Sequence, residues 1–231
     1  MVVIGGSSGI GLETARHARA AGAEVMLAAR DAKRLEGAAR ELQAQYTAAF
    51  DANDVTQLKG FFDNLPVPVD HIMLSAGGPA YIPLESLSLD EARRHFDERL
   101  SVTLGTAMFS RGKIRPGGSL LFVGGTGGRK RGVGLTLITT LTAALPAMAA
   151  NLAVELAPTR VNVIAPGFVD TPLSASILGD QLDARRKQLR ETLPIRRVVG
   201  PGDVAAVAVA IMSNGAITGA TIDIDGGQQL I

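Results

Sequence analysis

The chain has no cysteine and no tryptophan, and it has only two tyrosines. It also lacks a charge bias, since 23 Lys and Arg face 22 Asp and Glu for a formal net charge of +1. Each lack closes a class of function. Without cysteine there is no disulfide, no thiolate zinc site and no cysteine nucleophile, and the redox compartment leaves no mark. Without a net field, nothing draws the molecule onto nucleic acid or an anionic membrane, so neither is expected as a partner. No secretory segment and no apolar run near 20 residues is evident, because Met1 leads straight into a short strand and a glycine-rich loop; the expected location is the cytoplasm. His17, His71 and His95 share no metal-like spacing and are expected on the surface or on helix faces. With no His, Asp or Glu cluster of the usual kind, no metal is expected.

What the chain does have is glycine, 27 of 231 residues, and a hydrophobic fraction of 46%. That is enough for one core burying roughly 70% of the unfolded surface, so residues 1–231 are expected to form a single domain. Short β-branched or apolar runs alternate with longer Ala- and Leu-rich stretches, the rhythm of repeated βαβ units around a parallel sheet. Strands are expected near 1–4, 24–28, 46–50, 70–74, 118–123, 160–164 and 220–224. Helices are expected over 12–21, 32–44, 56–65, 89–109, 145–156 and 203–212. Residues 171–199 form the most polar long connection, and in this architecture they would be the lid over a substrate site.

Val2-Val3-Ile4 runs directly into Gly5-Gly6-Ser7-Ser8-Gly9-Ile10-Gly11 and then into a helical stretch. Glycines at a sharp strand-to-helix turn leave backbone N–H groups bare, and with the helix dipole these can hold a pyrophosphate. The alternative is an ordinary tight turn. Ser7 and Ser8 belong to this loop and have no base beside them, so neither reads as a nucleophile.

The spacing Gly-x3-Gly-x-Gly, on Gly5, Gly9 and Gly11, resembles the cofactor loop of the short-chain dehydrogenase/reductase family, with Ile4 where that family usually has Thr. The resemblance extends along the whole chain. It implies a Rossmann-type α/β fold, a doubly wound parallel sheet of about seven strands in a three-layer αβα sandwich, and a nicotinamide cofactor held by Gly5, Ser7, Ser8, Gly9, Ile10 and Gly11. Arg30 stands where members that prefer NADP have a basic residue, and Ala29 where NAD-preferring members carry Asp, which implies NADP(H). A guanidinium suits the 2′-phosphate. The alternative is a solvated surface arginine. Asp51, beside Ala52, falls on the family's adenine-contacting Asp, or else it simply forms a turn. Ser75-Ala76-Gly77 resembles the segment whose backbone approaches the cofactor ribose, with Leu74 and Ser75 replacing two asparagines. Pro166-Gly167-Phe168-Val169-Asp170-Thr171 resembles the Pro-Gly segment, in which the backbone of Val169 and the side chain of Thr171 would engage the nicotinamide amide.

The family's usual Asn, Ser, Tyr and Lys are not at their positions. Anchored on Pro116-Gly117-Gly118-Ser119 and on Leu152–Leu156, those positions fall on Arg99, Gly125, Ile138 and Thr142. The only tyrosines, Tyr46 and Tyr81, lie far upstream. Tyr46 is expected to pack in the third strand, and Tyr81 either lines a substrate pocket or packs in its loop. Lys130, between Arg129 and Arg131, either reaches the site or belongs to a solvated basic loop. Pro146 follows Thr142 by four residues, so the helix is expected to begin or kink near Leu145. The expectation is an NADP(H)-dependent oxidoreductase with a non-standard active site, where Arg99 is the candidate catalytic group and the substrate is open. Its rival is a catalytically silent NADP(H)-binding sensor or the inactive subunit of an oligomer. A homodimer or homotetramer is expected, formed through helices 89–109 and 145–156 and a small-residue face of Ala147, Ala149, Ala150 and Ala153.

Overall fold

In the first strand, β1 (Val2–Ile4), all three residues are buried, as a strand covered on both faces requires. Because successive side chains alternate, Val2 and Ile4 enter one apolar cluster and Val3 enters another. The whole molecule is organised by that division. The computed structural model describes residues 1–66 and 68–231.

After β1 come β2 (Met26–Ala29), β3 (Tyr46–Ala49), β4 (Val69–Leu74), β5 (Ile114–Val123), β6 (Arg160–Pro166) and β7 (Thr221–Ile224). They form one sheet in the order β3-β2-β1-β4-β5-β6-β7, with every pair parallel. The helices are α1 (Gly9–Ala20), α2 (Ala32–Leu42), α3 (Val55–Asp63), α4 (Leu89–Phe109) and α5 (Thr136–Glu155). There follow α6 (Pro172–Leu178), α7 (Leu182–Thr192) and α8 (Pro201–Ser213). Val2 and Ile4 share their cluster with Leu58, Phe61 and Phe62 of α3, Val102 of α4, and Leu145, Ala149 and Leu152 of α5. Val3 shares its cluster with Ala15 and Ala18 of α1, Leu35 and Ala38 of α2, and Val204, Ala208 and Ile211 of α8. The result is the three-layer, doubly wound sandwich, with the strand order reversing between β1 and β4.

Local chemistry sets the helix starts. Asp31 caps α2 by accepting from the Arg34 amide at 2.9 Å, Asp54 caps α3 and Ser88 caps α4. Arg160, only 7% exposed, donates to the carbonyls of Ile211, Met212 and Ile217 and so satisfies the C-terminal end of α8. Tyr46 packs in β3 against Phe61, with ring centroids 6.2 Å apart.

Four expectations require correction. The helix after β5 does not begin near Leu145 but runs as one piece from Thr136 to Glu155 with Pro146 inside it. A proline there costs about 3 kcal/mol. Burial of Leu137 and Ile138 before it, and of Leu145, Ala149 and Leu152 around it, offsets that cost at about 1.5–3 kcal/mol for each large aliphatic side chain. The same helix is long and apolar enough to span a membrane by length and composition, against the expectation that no such stretch exists; Leu145, Ala149 and Leu152 nonetheless pack against the sheet. Its interspersed threonines and alanines hide this in the sequence. Ala149 also leaves the supposed small-residue face, because at 1% exposure it belongs to the core, while Ala147 and Ala150 remain exposed.

The fourth correction concerns His71, which lies half-buried on β4 and not on a surface or a helix face. Its Nδ1 is 2.9 Å from Ser119 Oγ on β5, and burial holds its pKa below the ordinary value, with Asp70 opposing that shift and Arg160 adding to it. The unfolded chain therefore binds the extra proton more readily, so this contribution to stability is present above about pH 6.5 and lost as pH falls toward the lower folded value. The expected outcome is that His71→Gln flattens the decline of the thermal midpoint between about pH 7 and pH 5, measured beside the parent protein. An identical decline in both proteins would show that His71 is not the group responsible.

Candidate functional site

The switch point between β1 and β4 is built by close backbone approach. Gly5 adopts φ +93°, and a Cβ placed on it would sit 2.8 Å from the Ala76 nitrogen and 3.0 Å from the Ser75 oxygen. A Cβ on Gly11 would lie 2.3 Å from the Gly5 carbonyl oxygen. Neither position can carry a side chain without moving backbone. The Ser75 amide donates to the Ile4 carbonyl at 2.8 Å, and the amides of Gly5 and Gly6 both donate to Ala28 O. The loops after β1, β2 and β4 are thereby tied together at the C-terminal ends of their strands.

The glycine loop leaves several main-chain donors without an acceptor among the described residues. The first helical bond of α1 is Leu12 N to Ser8 O, and among the described residues no acceptor faces the N–H groups of Ser7, Ser8, Gly9, Ile10 or Gly11. Ser8 occupies the N-cap position without a side-chain cap bond. These donors and the positive end of the helix dipole make a cradle for an anion. Gly9 faces Thr171, whose Cβ and Cγ2 would be 3.6 Å from an added Cβ. The loop and the far side of the sheet therefore close on the same space.

At the β2–β3 edge, Arg30 is exposed and has no hydrogen-bond or ion-pair partner among the described residues. Its neighbour Asp31 is committed elsewhere, accepting from Arg34 N at 2.9 Å and from Arg34 Nε at 2.7 Å. Arg30 is thus free to meet a phosphate. Asp51 accepts from the Asn53 amide at 3.0 Å, so its turn-forming role is realised, and Ala52 beside it is buried.

A second group of residues gathers across β4, β5 and β6. A Cβ on Gly125 would lie 3.5 Å from Pro166 O and 3.8 Å from Thr142 Cγ2. Thr142 Oγ1 donates to the Ile138 carbonyl at 2.6 Å, one turn back on α5. Gly125, Ile138 and Thr142 are therefore neighbours, as their register implies. Ile138 is 7% exposed and offers no donor. Thr139 Oγ1 is spent on Gly127 O at 3.3 Å. Lys130 is half-buried at the end of the short turn Thr126–Arg129, while Arg129 pairs with Asp223 at 2.6 Å.

Arg99, on α4, turns its guanidinium toward the loop after β4: Nη1 would be 3.3 Å from a Cβ on Gly77, a residue at φ +102°. The next residue, Gly78, lies against Leu173 of α6. Arg99 is half-buried, and burial lowers its pKa with no neighbouring carboxylate to oppose the shift. It remains a cation. Tyr81, in the same loop, is 54% exposed.

Thr171 and Val169 are more occupied than the sequence suggests. Thr171 caps α6 reciprocally with Ser174, whose amide donates to Thr171 Oγ1 at 3.3 Å while Thr171 N donates to Ser174 Oγ at 2.9 Å. Ser174 Oγ also reaches Val169 O at 2.7 Å. The Thr-x-x-Ser spacing before an apolar stretch is a capping signal that could have been found in the sequence. Less visible are Gln228, whose Oε1 accepts from Phe168 N at 2.9 Å and would sit 2.5 Å from a Cβ on Gly167, and Arg186. Arg186 holds Asp170 bidentately at 2.9 and 2.8 Å, fastening α7 to the end of this segment. Both are long-range pairings with no local pattern.

The sequence model of the enoyl-(acyl carrier protein) reductase family matches residues 5–229. Dehydrogenase/reductase SDR family member 4 of Sus scrofa is 30% identical over 98% of this chain and 85% of its own length. Short-chain dehydrogenase/reductase malC of Malbranchea aurantiaca is 28% identical over 100% of this chain and 94% of its own. The solved structure of the MalC reductase/Diels-Alderase from that organism superposes with a TM-score of 0.91 at 27% identity, covering 100% of this chain and 96% of the other. A small-chain dehydrogenase solved in complex with NADPH superposes at 0.83 with 26% identity, covering 100% and 98%.

Proposed function

The chain belongs to the short-chain dehydrogenase/reductase family, and from that premise we propose that it is an NADP(H)-dependent oxidoreductase with a non-standard proton-handling site. The observation that carries this reading is the pairing of a cradle of N–H groups at Ser7–Gly11 with Arg30 one strand away, both without partners among the described residues. Pyrophosphate suits the first and the 2′-phosphate the second. Ser75, Ala76 and Gly77 shape the ribose side, Asp51 and Ala52 the adenine side, and Pro166, Gly167, Val169 and Thr171 the nicotinamide side. Bound there, the cofactor supplies or accepts the hydride.

What remains for the chain is charge and proton. A carbonyl that accepts hydride gains negative charge on oxygen, and Ile138 can neither hold that charge nor protonate it. Arg99 can stabilise it but does not readily give up a proton at neutral pH. Threonine hydroxyls at 136, 139, 140 and 142 are too weakly acidic for the task. The absence of a donor at Ile138 favours a second reading, a silent NADP(H)-binding sensor or the inactive subunit of an oligomer. Residues 171–199, carrying α6 and α7, are proposed as a lid and favour the first reading, since a lid implies something enclosed.

The proposed assembly is a homodimer or homotetramer through α4 and α5. Met108 is 63% exposed, Val154 is 79% exposed, and Leu100 is also exposed on these helices, an apolar face that a second copy would cover. Light scattering at micromolar concentration should give twice or four times the chain mass, and a monomeric mass would refute the assembly.

Arg30→Ala should weaken NADPH by roughly 1.5–3 kcal/mol, the range for hydrogen bonds to a charged group, and leave NADH nearly unchanged. Fluorescence titration of the reduced cofactors measures both. Equal losses, or an initial preference for NADH, would contradict the assignment of Arg30. Neutral ketones, aldehydes and secondary alcohols should turn over far below the ordinary range of about 1–10³ per second, because a lost general acid forfeits about 10²–10⁴-fold. Ordinary turnover on that panel would mean that another residue donates the proton. Cofactor binding with no hydride transfer to any carbonyl would favour the silent reading.

A further inference from the structure

We infer that Arg99 is the seat for a permanent anion on the substrate, so that the compounds taken under the lid are carboxylate-bearing carbonyls rather than neutral ones. This rests on the reading of the site as a cofactor-and-substrate crevice and names the substrate class for it.

The argument begins with how the chain treats its other arginines. Arg16 pairs with Glu13 and Glu41, Arg34 with Asp31, Arg129 with Asp223, Arg186 with Asp170 and Asp183, and Arg197 with Asp203. Arg160 and Arg19 donate to main-chain carbonyls, and Arg185 donates to Gln188. Those without partners, such as Arg30, Arg111 and Arg190, are fully exposed, so water serves them. Arg99 alone among the described arginines combines partial burial with a guanidinium that has no hydrogen-bond or ion-pair partner. Asp97 and Glu98 precede it in sequence, yet neither pairs with it, and Glu98 lies 3.8 Å from His95. A cation withdrawn from water without a counter-charge is unfavourable, and a bound anion relieves the cost.

The position of this cation matters as much as its isolation. Gly77 and Gly78 are consecutive, the first against the Arg99 guanidinium and the second against Leu173 of α6. Arg99 therefore lies where the loop after β4 meets the lid, at the same end of the sheet as Gly5 and Gly9. No side chain at residue 77 screens it. The planar fork of donors matches a carboxylate bidentately, which a neutral carbonyl oxygen cannot exploit. Leu173, on the lid side, supplies an apolar neighbour for the rest of such a molecule. Arg185 and Arg186 of the lid are already engaged with Gln188 and Asp170 and do not compete for the role. Lys130, half-buried and without an ion-pair partner among the described residues, serves as the control.

The test uses the full chain saturated with NADP+, in which an oxo acid binds without being reduced. Calorimetry compares pyruvate, benzoylformate and 4-phenyl-2-oxobutanoate, each against its methyl ester. At least one acid should bind about 10- to 150-fold more tightly than its ester, the factor expected for hydrogen bonds to a charged group. Arg99→Gln should remove that preference without changing NADP+ affinity, Arg99→Lys should retain part of it, and Lys130→Gln should leave it intact. Acids and esters binding alike to the parent protein would overturn the proposal whether or not any variant folds. So would a preference that survives Arg99→Gln or vanishes with Lys130→Gln. If Arg99→Gln instead weakens NADP+ and no acid preference exists, the guanidinium belongs to the cofactor. Failure of the parent chain to bind NADP+ at all would sink the functional reading separately, and the acid–ester comparison on the chain alone then still decides the role of Arg99.

Discussion

The contact on which the rest of the structure depends is between two stretches of main chain, the turn after β1 and the turn after β4. They come so close that a single methyl group at residue 5 would overlap the Ala76 nitrogen. The Ser75 amide bonds to Ile4 O, and Gly5 and Gly6 bond to Ala28 O, so three strand ends are fixed by main-chain bonds alone. With the strands fixed, α1 must start where it does, and its first N–H groups point into the crevice instead of into protein. A cradle built first of main-chain donors is a consequence of this packing, with specificity added at its margins.

Those margins show a consistent treatment of charge. Several charged groups are matched within the chain: Asp31 by Arg34, Asp170 by Arg186, and Asp223 by Arg129. Matching Asp31 and Asp170 has a functional consequence, because each lies beside the crevice and, left free, would repel phosphates or a substrate anion. Neutralising them leaves Arg30 at one end and Arg99 at the other as cations with no hydrogen-bond or ion-pair partner among the described residues. An elongated, multiply anionic ligand set fits that distribution better than neutral molecules do.

Much of the sheet was legible in the sequence because buried parallel strands read as short apolar runs. Val2-Val3-Ile4 and Val161–Ala165 carry that signal, and α4 was bounded at Leu89 and Phe109 as observed. The glycine loop was legible because its spacing states a steric requirement. Three things were not. The continuity of α5 through Pro146 depends on tertiary burial of Leu145 and Ala149, which overrides a local penalty. The half-burial of His71, on a strand that the sequence did mark, goes with a side-chain contact to Ser119, 48 residues away. The fastening of α7 and the Pro-Gly segment depends on Arg186 and Gln228, whose partners lie 16 and 60 residues away. Pairings of that reach leave no periodic trace.

The continuous α5 also fixes how residues 138 and 142 are presented. Had the helix begun at Leu145, Ile138 and Thr142 would lie in irregular chain, and their identities would say little about a site. Because the helix is unbroken, residues 138 and 142 stand one turn apart on one face, with Thr142 beside Gly125 and Gly125 beside Pro166. That face therefore presents a buried isoleucine and a threonine bonded to its own helix. On the proposed reading, α5 offers no charge at this point, and stabilisation of negative charge on a substrate oxygen would fall to another element, such as α4 with Arg99.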